Sequence, residues 1–313
     1  MSKRKLTYLS SLLALPVLYA LFYGIHISPQ GNAIEQWLPK WDRVLVLFAI
    51  VGLERLYKYR YAVSQRYILH RDIIANIVNL WITGAVVGVI VLPLLYFLPE
   101  HFLGRKFVIA SPGELGPLWF QFATILLFIS LFRYWMHRMQ HTIPFLWELH
   151  SYHHRVTDLK ASNGEVSNPV DYALRNVIVF LILGVVGFYP VAILLAVPVA
   201  TFTSVFSHCG ADLKGGVLNY IFVTPEVHRW HHTANVPEGR GYSVNYGVEF
   251  AFWDILFGTY YLPQENGQVI QPERIGHPEG LPDEKNYLKL LLVPLGLYPP
   301  FGWLQRLPRA TAR

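Results

Sequence analysis

Residues 118–154 read LWFQFATILLFISLFRYWMHRMQHTIPFLWELHSYHH, an apolar run that leads without a break into five histidines. His137 and His141 stand four apart, and His150 is followed by His153 and His154. A second His-x-x-His-His recurs far downstream as His228, His231 and His232. Spacings of three and four bring side chains to one helix face, about 5–6 Å apart at Cβ, where imidazoles can converge on a metal ion. The His137/His141 pair alone could be an ordinary helix face at a membrane interface. Two triads could not be buried so easily, because each would leave several ring nitrogens in need of partners.

Eight of the 13 histidines fall in these three clusters, and that number exceeds the four ligands of a closed zinc site and the three of a catalytic one. Two metal ions are therefore expected. Imidazole suits zinc, copper, iron and nickel alike, so ligand type does not choose among them. The single cysteine, Cys209, excludes iron–sulfur clusters, multi-cysteine zinc sites and an internal disulfide. No Glu-x-x-His occurs, which argues against a carboxylate-rich di-iron site in a soluble four-helix bundle. A bis-histidine haem would use only two of these residues.

The chain around the clusters is membrane-like. Of 313 residues, 53% are hydrophobic and 15% charged. Apolar runs at 6–27, 41–57, 73–98 and 118–136 predict four spans, and the first is longer than the core of a cleavable signal peptide, so it is expected to be retained. The block 177–206 carries Gly184, Gly187 and Pro190 near its middle and reads as a re-entrant helical hairpin. A hairpin returns the chain to one side, as a site shared by all three clusters requires. Lys3, Arg4, Lys5, Lys58, Arg60, Arg66 and Arg71 flank the spans on one side, which places the amino terminus and the histidines in the cytoplasm. A net charge of +6 fits contact with anionic headgroups, and no nucleic-acid motif is visible. The fold class expected is all-α: a membrane bundle of about four spans plus the hairpin, under a cytoplasmic histidine-rich cap. The expected divisions are an N-terminal membrane region (1–117), a histidine-box domain (118–262) and a C-terminal cap and tail (263–313), with a short apolar run at 288–297 as an interfacial or core helix.

The motifs Tyr134-Trp135-Met136-His137-Arg138-x-x-His141, Leu146-Trp147-x-Leu149-His150-x-x-His153-His154, Ser207-His208, Thr224-Pro225-x-x-His228-Arg229-x-His231-His232, Asn245-Tyr246-Gly247 and Trp253-Asp254-x-x-Phe257-Gly258-Thr259 resemble the fatty acid hydroxylase and sterol desaturase superfamily of integral membrane di-iron oxygenases. The resemblance covers residues 118–262. It implies two iron ions held by His137, His141, His150, His153, His154, His228, His231 and His232, with His208 as a ninth ligand, and O2 as co-substrate. The implied reaction removes hydrogen from an unactivated C–H bond of a lipid, and it ends either in an alcohol or, on loss of a second hydrogen, in a double bond. Electrons must come from elsewhere, since no G-x-G-x-x-G opens a helix. A ferredoxin, a cytochrome b5-like protein or a reductase is the expected donor.

Four further readings concern single residues. Asn245 and Asp254 are candidates to hydrogen-bond the outer nitrogens of ligand histidines, with a plain turn as the alternative for Asn245. Trp135, Trp147, Trp230 and Trp253 read as membrane-interface anchors. Arg138 and Arg229 could hold a headgroup or neutralise carboxylates, and His277 reads as a loop residue outside the site. Two other functions compete: a histidine-rich membrane metal transporter or metal-binding protein, which would place ligands at mid-bilayer depth, and a zinc hydrolase, which lacks the expected His-Glu-x-x-His.

Overall fold

The computed structural model describes residues 109–281, together with scattered positions between 72 and 102. The expected spans at 6–27 and 41–57, most of that at 73–98, and the run at 288–297 lie outside the described residues.

Prolines set the helix boundaries. Helix α1 (Leu118–Thr142) is an unbroken 25-residue segment that ends at Ile143 in an extended conformation, because Pro144 disfavours helical geometry in the residue before it. The same proline, with its fixed φ and missing N–H, opens α2 (Pro144–His150). Helices α3 (Pro169–Val186), α4 (Pro190–Ser207) and α5 (Pro225–His231) start in the same way. Asn168 and Thr224 cap α3 and α5 by accepting the backbone N–H groups of Val170 and Val227. Short 3-10 turns lie at His153–Arg155, Ala161–Asn163 and Gly216–Tyr220, and a five-residue α6 at Phe252–Leu256.

The helical hairpin exists, with longer arms than expected. It runs from Pro169 to Ser207 and turns at Gly187, whose φ of 87° is the left-handed cap that only glycine adopts without strain. Each arm has 18 residues and is therefore about 27 Å long, near the thickness of a bilayer's hydrocarbon core. α1 and α3 are both long and apolar enough to cross a membrane. The core between α1, α3 and α4 is Ile125, Ile129, Val179 and Leu183 against Ala192, Ala196 and Ala200. The alanines recur every four residues and make one stripe on α4, so α1 can approach closely.

Beyond α5 the chain is largely irregular, which departs from an all-helical reading. Phe222 bridges to Phe250, Thr233 bridges to Ile275, and β1 (Gln264–Glu265) pairs antiparallel with β2 (Gln268–Val269). These pairings fold the last described segment back onto α5.

Gly187→Val should lower thermal stability by about 1–2 kcal/mol, since a side chain at positive φ is strained. Gly187→Asn should cost less, and thermal melts of detergent-solubilised protein compare the two.

Candidate metal centre

All nine expected histidines are buried and meet at one end of the bundle. They divide into two groups. His137, His141, His150, His154 and His231 form the first, and His153, His208, His228 and His232 the second, with the candidate ligand atoms of each group within 4.8 Å of one another. Each His-x-x-His-His motif is thus split. Its first and last members, four apart, serve one group, and its central member turns to the other.

The outer nitrogens fix the ring protons. The Nδ1–H groups of His137, His153, His208 and His231 donate to the backbone carbonyls of Tyr246 (2.8 Å), Val166 (3.1 Å), Ser204 (2.8 Å) and Val244 (2.8 Å). A carbonyl can only accept, so each of these neutral rings carries its proton on Nδ1 and a lone pair on Nε2. The Nε2 atoms then face one another: His153 and His208 at 3.0 Å, His208 and His228 at 3.0 Å, His154 and His231 at 3.1 Å, His137 and His150 at 3.1 Å. Between His153 and His208 no proton is available to bridge two lone pairs. A cation shared by the two lone pairs would resolve the conflict. The buried Nε2 of His141 also has no hydrogen-bond partner among the described residues. The donor set fits two metal ions.

Burial keeps the imidazoles neutral. It pushes His208 down to about 4 and His231 down to about 3. His150, His153, His154, His228 and His232 are also held well below the usual range, first by burial and then by repulsion from neighbouring rings. Neutral imidazole is the form that binds metal.

Asn245 and Asp254 do not reach the ring nitrogens as expected. Asn245, at a φ of 56°, donates to the carbonyls of Val227 and Tyr261 and accepts from the N–H of Tyr261. The Asp254 carboxylate accepts from Tyr246 N (2.6 Å), Gly247 N (2.8 Å) and the Thr259 hydroxyl (2.7 Å), while burial pushes its carboxyl up to about 6. It acts one step removed, by holding the loop whose Tyr246 carbonyl receives the His137 proton.

The carboxylate that does meet a ring is Asp171, at 3.4 Å from His150 Nδ1, with Gln140 and Arg175 as its other partners. In the sequence Asp171 looks like an ordinary acidic residue in the first turn of a helix. Trp147 is part of the wall rather than an interface anchor: its ring lies 5.0 Å from His141, 5.4 Å from His154 and 5.3 Å from His277. His277 is buried behind it and belongs to neither group. Arg229 is buried and donates to the carbonyls of Cys209 and Ala211, so it is not placed for a headgroup. Arg138 donates to the Tyr134 hydroxyl, its guanidinium 5.4 Å from the Trp135 ring centre.

Residues 122–259 match the family model for fatty acid hydroxylase. The similarity to the fatty acid hydroxylase and sterol desaturase superfamily thus covers the segment that carries all nine histidines. Among its relatives are the ornithine lipid hydroxylase OlsE of Rhizobium tropici, 32% identical over 152 residues (47% of this chain, 44% of the relative), and sphinganine C4-monooxygenase 1 of Arabidopsis thaliana, 30% identical over 146 residues (45% and 54%). The Delta(7)-sterol 5(6)-desaturase ERG3A of Gibberella zeae is 25% identical over 247 residues (76% and 66%). The chain spans about half the length of the first two relatives. No solved structure matches it.

Within the fatty acid hydroxylase region, Gly164 shows how tightly the second histidine group is enclosed. A Cβ there would lie 3.2 Å from the His208 ring. Gly164→Val should displace His208 and lower bound metal, as read by metal analysis of the purified protein. Asp171→Asn should weaken metal affinity about 10–100-fold, measured by chelator competition, because the amide is a poorer acceptor for the His150 proton. Acidification should also release metal. The unfolded chain binds protons near pH 6.5 that the buried rings refuse until pH 3–4, so stability is present above 6.5 and lost as pH falls towards about 4. Melting temperature and metal content should fall together across that window.

Proposed function

We propose that this protein is an integral membrane oxygenase with a two-iron centre, which hydroxylates or desaturates an unactivated C–H bond of a lipid. The observation that carries the reading is the split of each His-x-x-His-His motif between two adjoining, buried, all-imidazole groups. His137, His141, His150, His154 and His231 would hold one ion and His153, His208, His228 and His232 the other. Bound there, two irons would supply activation of O2. The chain's own residues orient the rings through the Tyr246, Val166, Ser204 and Val244 carbonyls and exclude water by burial.

The names of the relatives support a lipid substrate, since they act on an ornithine lipid, on sphinganine and on a sterol. They also span both outcomes, hydroxylation and desaturation. Electrons would come from a separate ferredoxin, cytochrome or reductase. A transporter reading is disfavoured, because the ligands sit together at the ends of α1 and α4 instead of along their lengths. The division into a membrane region (1–117), the histidine domain (118–262) and a tail (263–313) belongs to the same proposal.

In this proposal the α3–α4 hairpin crosses the membrane twice. Tyr189 N, at its turn, donates to Gln121 Oε1 near the start of α1 (2.8 Å), so a membrane crossed by α1 is crossed by both arms. The histidines remain on one side, which the basic residues make the cytoplasm.

Protein from iron-replete cells should contain about two irons per chain and little zinc. His153→Ala and His231→Ala should abolish turnover and lower iron content. Lipid profiles of expressing and non-expressing cells should differ by species that have gained one oxygen or lost two hydrogens. One zinc without iron would overturn the two-iron reading. In a Cys209→Ser background, Thr157→Cys and Arg240→Cys should label from the cytoplasmic side and Tyr189→Cys from the other. An unreactive Tyr189→Cys would restore the re-entrant dip.

A further inference from the structure

The segment after α5 does not stand wholly above the histidines. It descends beside α1. Tyr134 stacks on Phe257 at 5.0 Å between ring centres, Arg133 Nη1 meets Glu249 Oε1 at 2.7 Å, and Trp253 Nε1 donates to Ser130 Oγ at 2.9 Å. Ser130 is seven residues before His137, or about 10 Å further down the helix axis. The other helices give the same depth. Arg133 also reaches the Ala200 carbonyl on α4, eight residues before His208, and Asn176 on α3, seven residues after Pro169. α6 therefore lies at the level of the apolar stretches of α1, α3 and α4.

The surface that this segment turns outward is apolar. Leu256 is 65% exposed and Ile255 48%. The neighbouring turn adds Val217 at 65% and Ile221 at 43%, and it is tied to the same strip by Ala251 N donating to Ile221 O and Val223 N to Glu249 O. A water-facing cap has no reason to expose these side chains together. The patch continues into the outer face of α1 through Trp135, 42% exposed and 5.0 Å from the Phe257 ring.

We propose that the Gly216–Tyr220 turn, with Ile221, and helix α6 form a wedge seated in the hydrocarbon of the leaflet nearest the metal centre, with Val217, Ile255 and Leu256 against lipid chains. The inference rests on α1 crossing the membrane. With about 20 residues of α1 filling a ~30 Å hydrocarbon core from Leu118, the core ends near Arg138. Ser130, and Trp253 bonded to it, then lie about 12 Å inside. The wedge packs the histidine domain against the bilayer from the side and fixes the height of the metal centre above the leaflet, which α1 alone, free to tilt, would not do. It also shields the Arg133–Glu249 pair from lipid, consistent with the near-complete burial of Glu249.

The test uses full-length Cys209→Ser protein in phosphatidylcholine–phosphatidylglycerol vesicles, with a nitroxide at one introduced cysteine and collision rates measured against O2 and a water-soluble nickel chelate. Val217→Cys and Leu256→Cys should show O2-to-nickel ratios several-fold above Glu273→Cys, a water-exposed reference, and of the same sense as Leu127→Cys on the exposed face of α1. Ratios at Val217 and Leu256 equal to that of Glu273, with Leu127 still lipid-exposed, would overturn the wedge and leave the membrane reading intact. A water-exposed Leu127 would remove the membrane reading itself. Exclusion of both reagents from Val217 and Leu256 would mean that protein, such as a second copy of this chain, covers the patch, and this too would overturn the proposal.

Discussion

Nine neutral imidazoles share one buried volume, and their lone pairs point inward. That arrangement is repulsive on its own terms. Nδ1 protons anchored on the Val166 and Ser204 carbonyls leave the Nε2 lone pairs of His153 and His208 facing each other at 3.0 Å with no proton to share. Burying so many polar groups without partners would cost several kcal/mol, far more than any surface contact returns. The end of the bundle that holds the histidines is thus suited to cations, and the rest of the domain is the frame that brings the rings together.

Backbone geometry does most of the framing. α1 delivers His137 and His141 on its last two turns, and α4 ends at His208, so two apolar helices finish at one level. The proline after Ile143 stops α1 and restarts the chain as α2, whose last residue is His150. Carboxylates then lock what the helices place: Asp171 holds His150, and Asp254 gathers the 246–247 backbone behind His137. Neither carboxylate needs to touch a metal to matter, because a ring rotated by a small angle no longer aims its lone pair.

The nine histidines that the structure gathers were legible from their spacing beside apolar runs. The hairpin was legible too, because Gly187 and Pro190 mark a turn in any context. Its arm length was not. The apolar block begins at Val177, whereas α3 starts at the Asn168 cap, and the polar residues Asp171, Arg175 and Asn176 hide the first two turns. The partners of the rings were equally hidden. Four are backbone carbonyls, which no residue type announces, and the fifth, Asp171, has a local explanation as a first-turn acid. Trp147 misled for a similar reason, because an aromatic beside an apolar helix suits the interface and the site wall equally well.

The two histidine groups are unequal, and the cause is local. Each His-x-x-His-His contributes two rings to one group and one to the other, so the two triads together divide evenly, three and three. His137 and His141 bring the first group to five. α4 supplies only His208 to the second, because the residue one turn earlier is Ser204, whose hydroxyl donates to Glu165 Oε1 instead. The second group therefore offers one fewer imidazole than the first. The asymmetry of the centre is thus built into α4 before any metal binds.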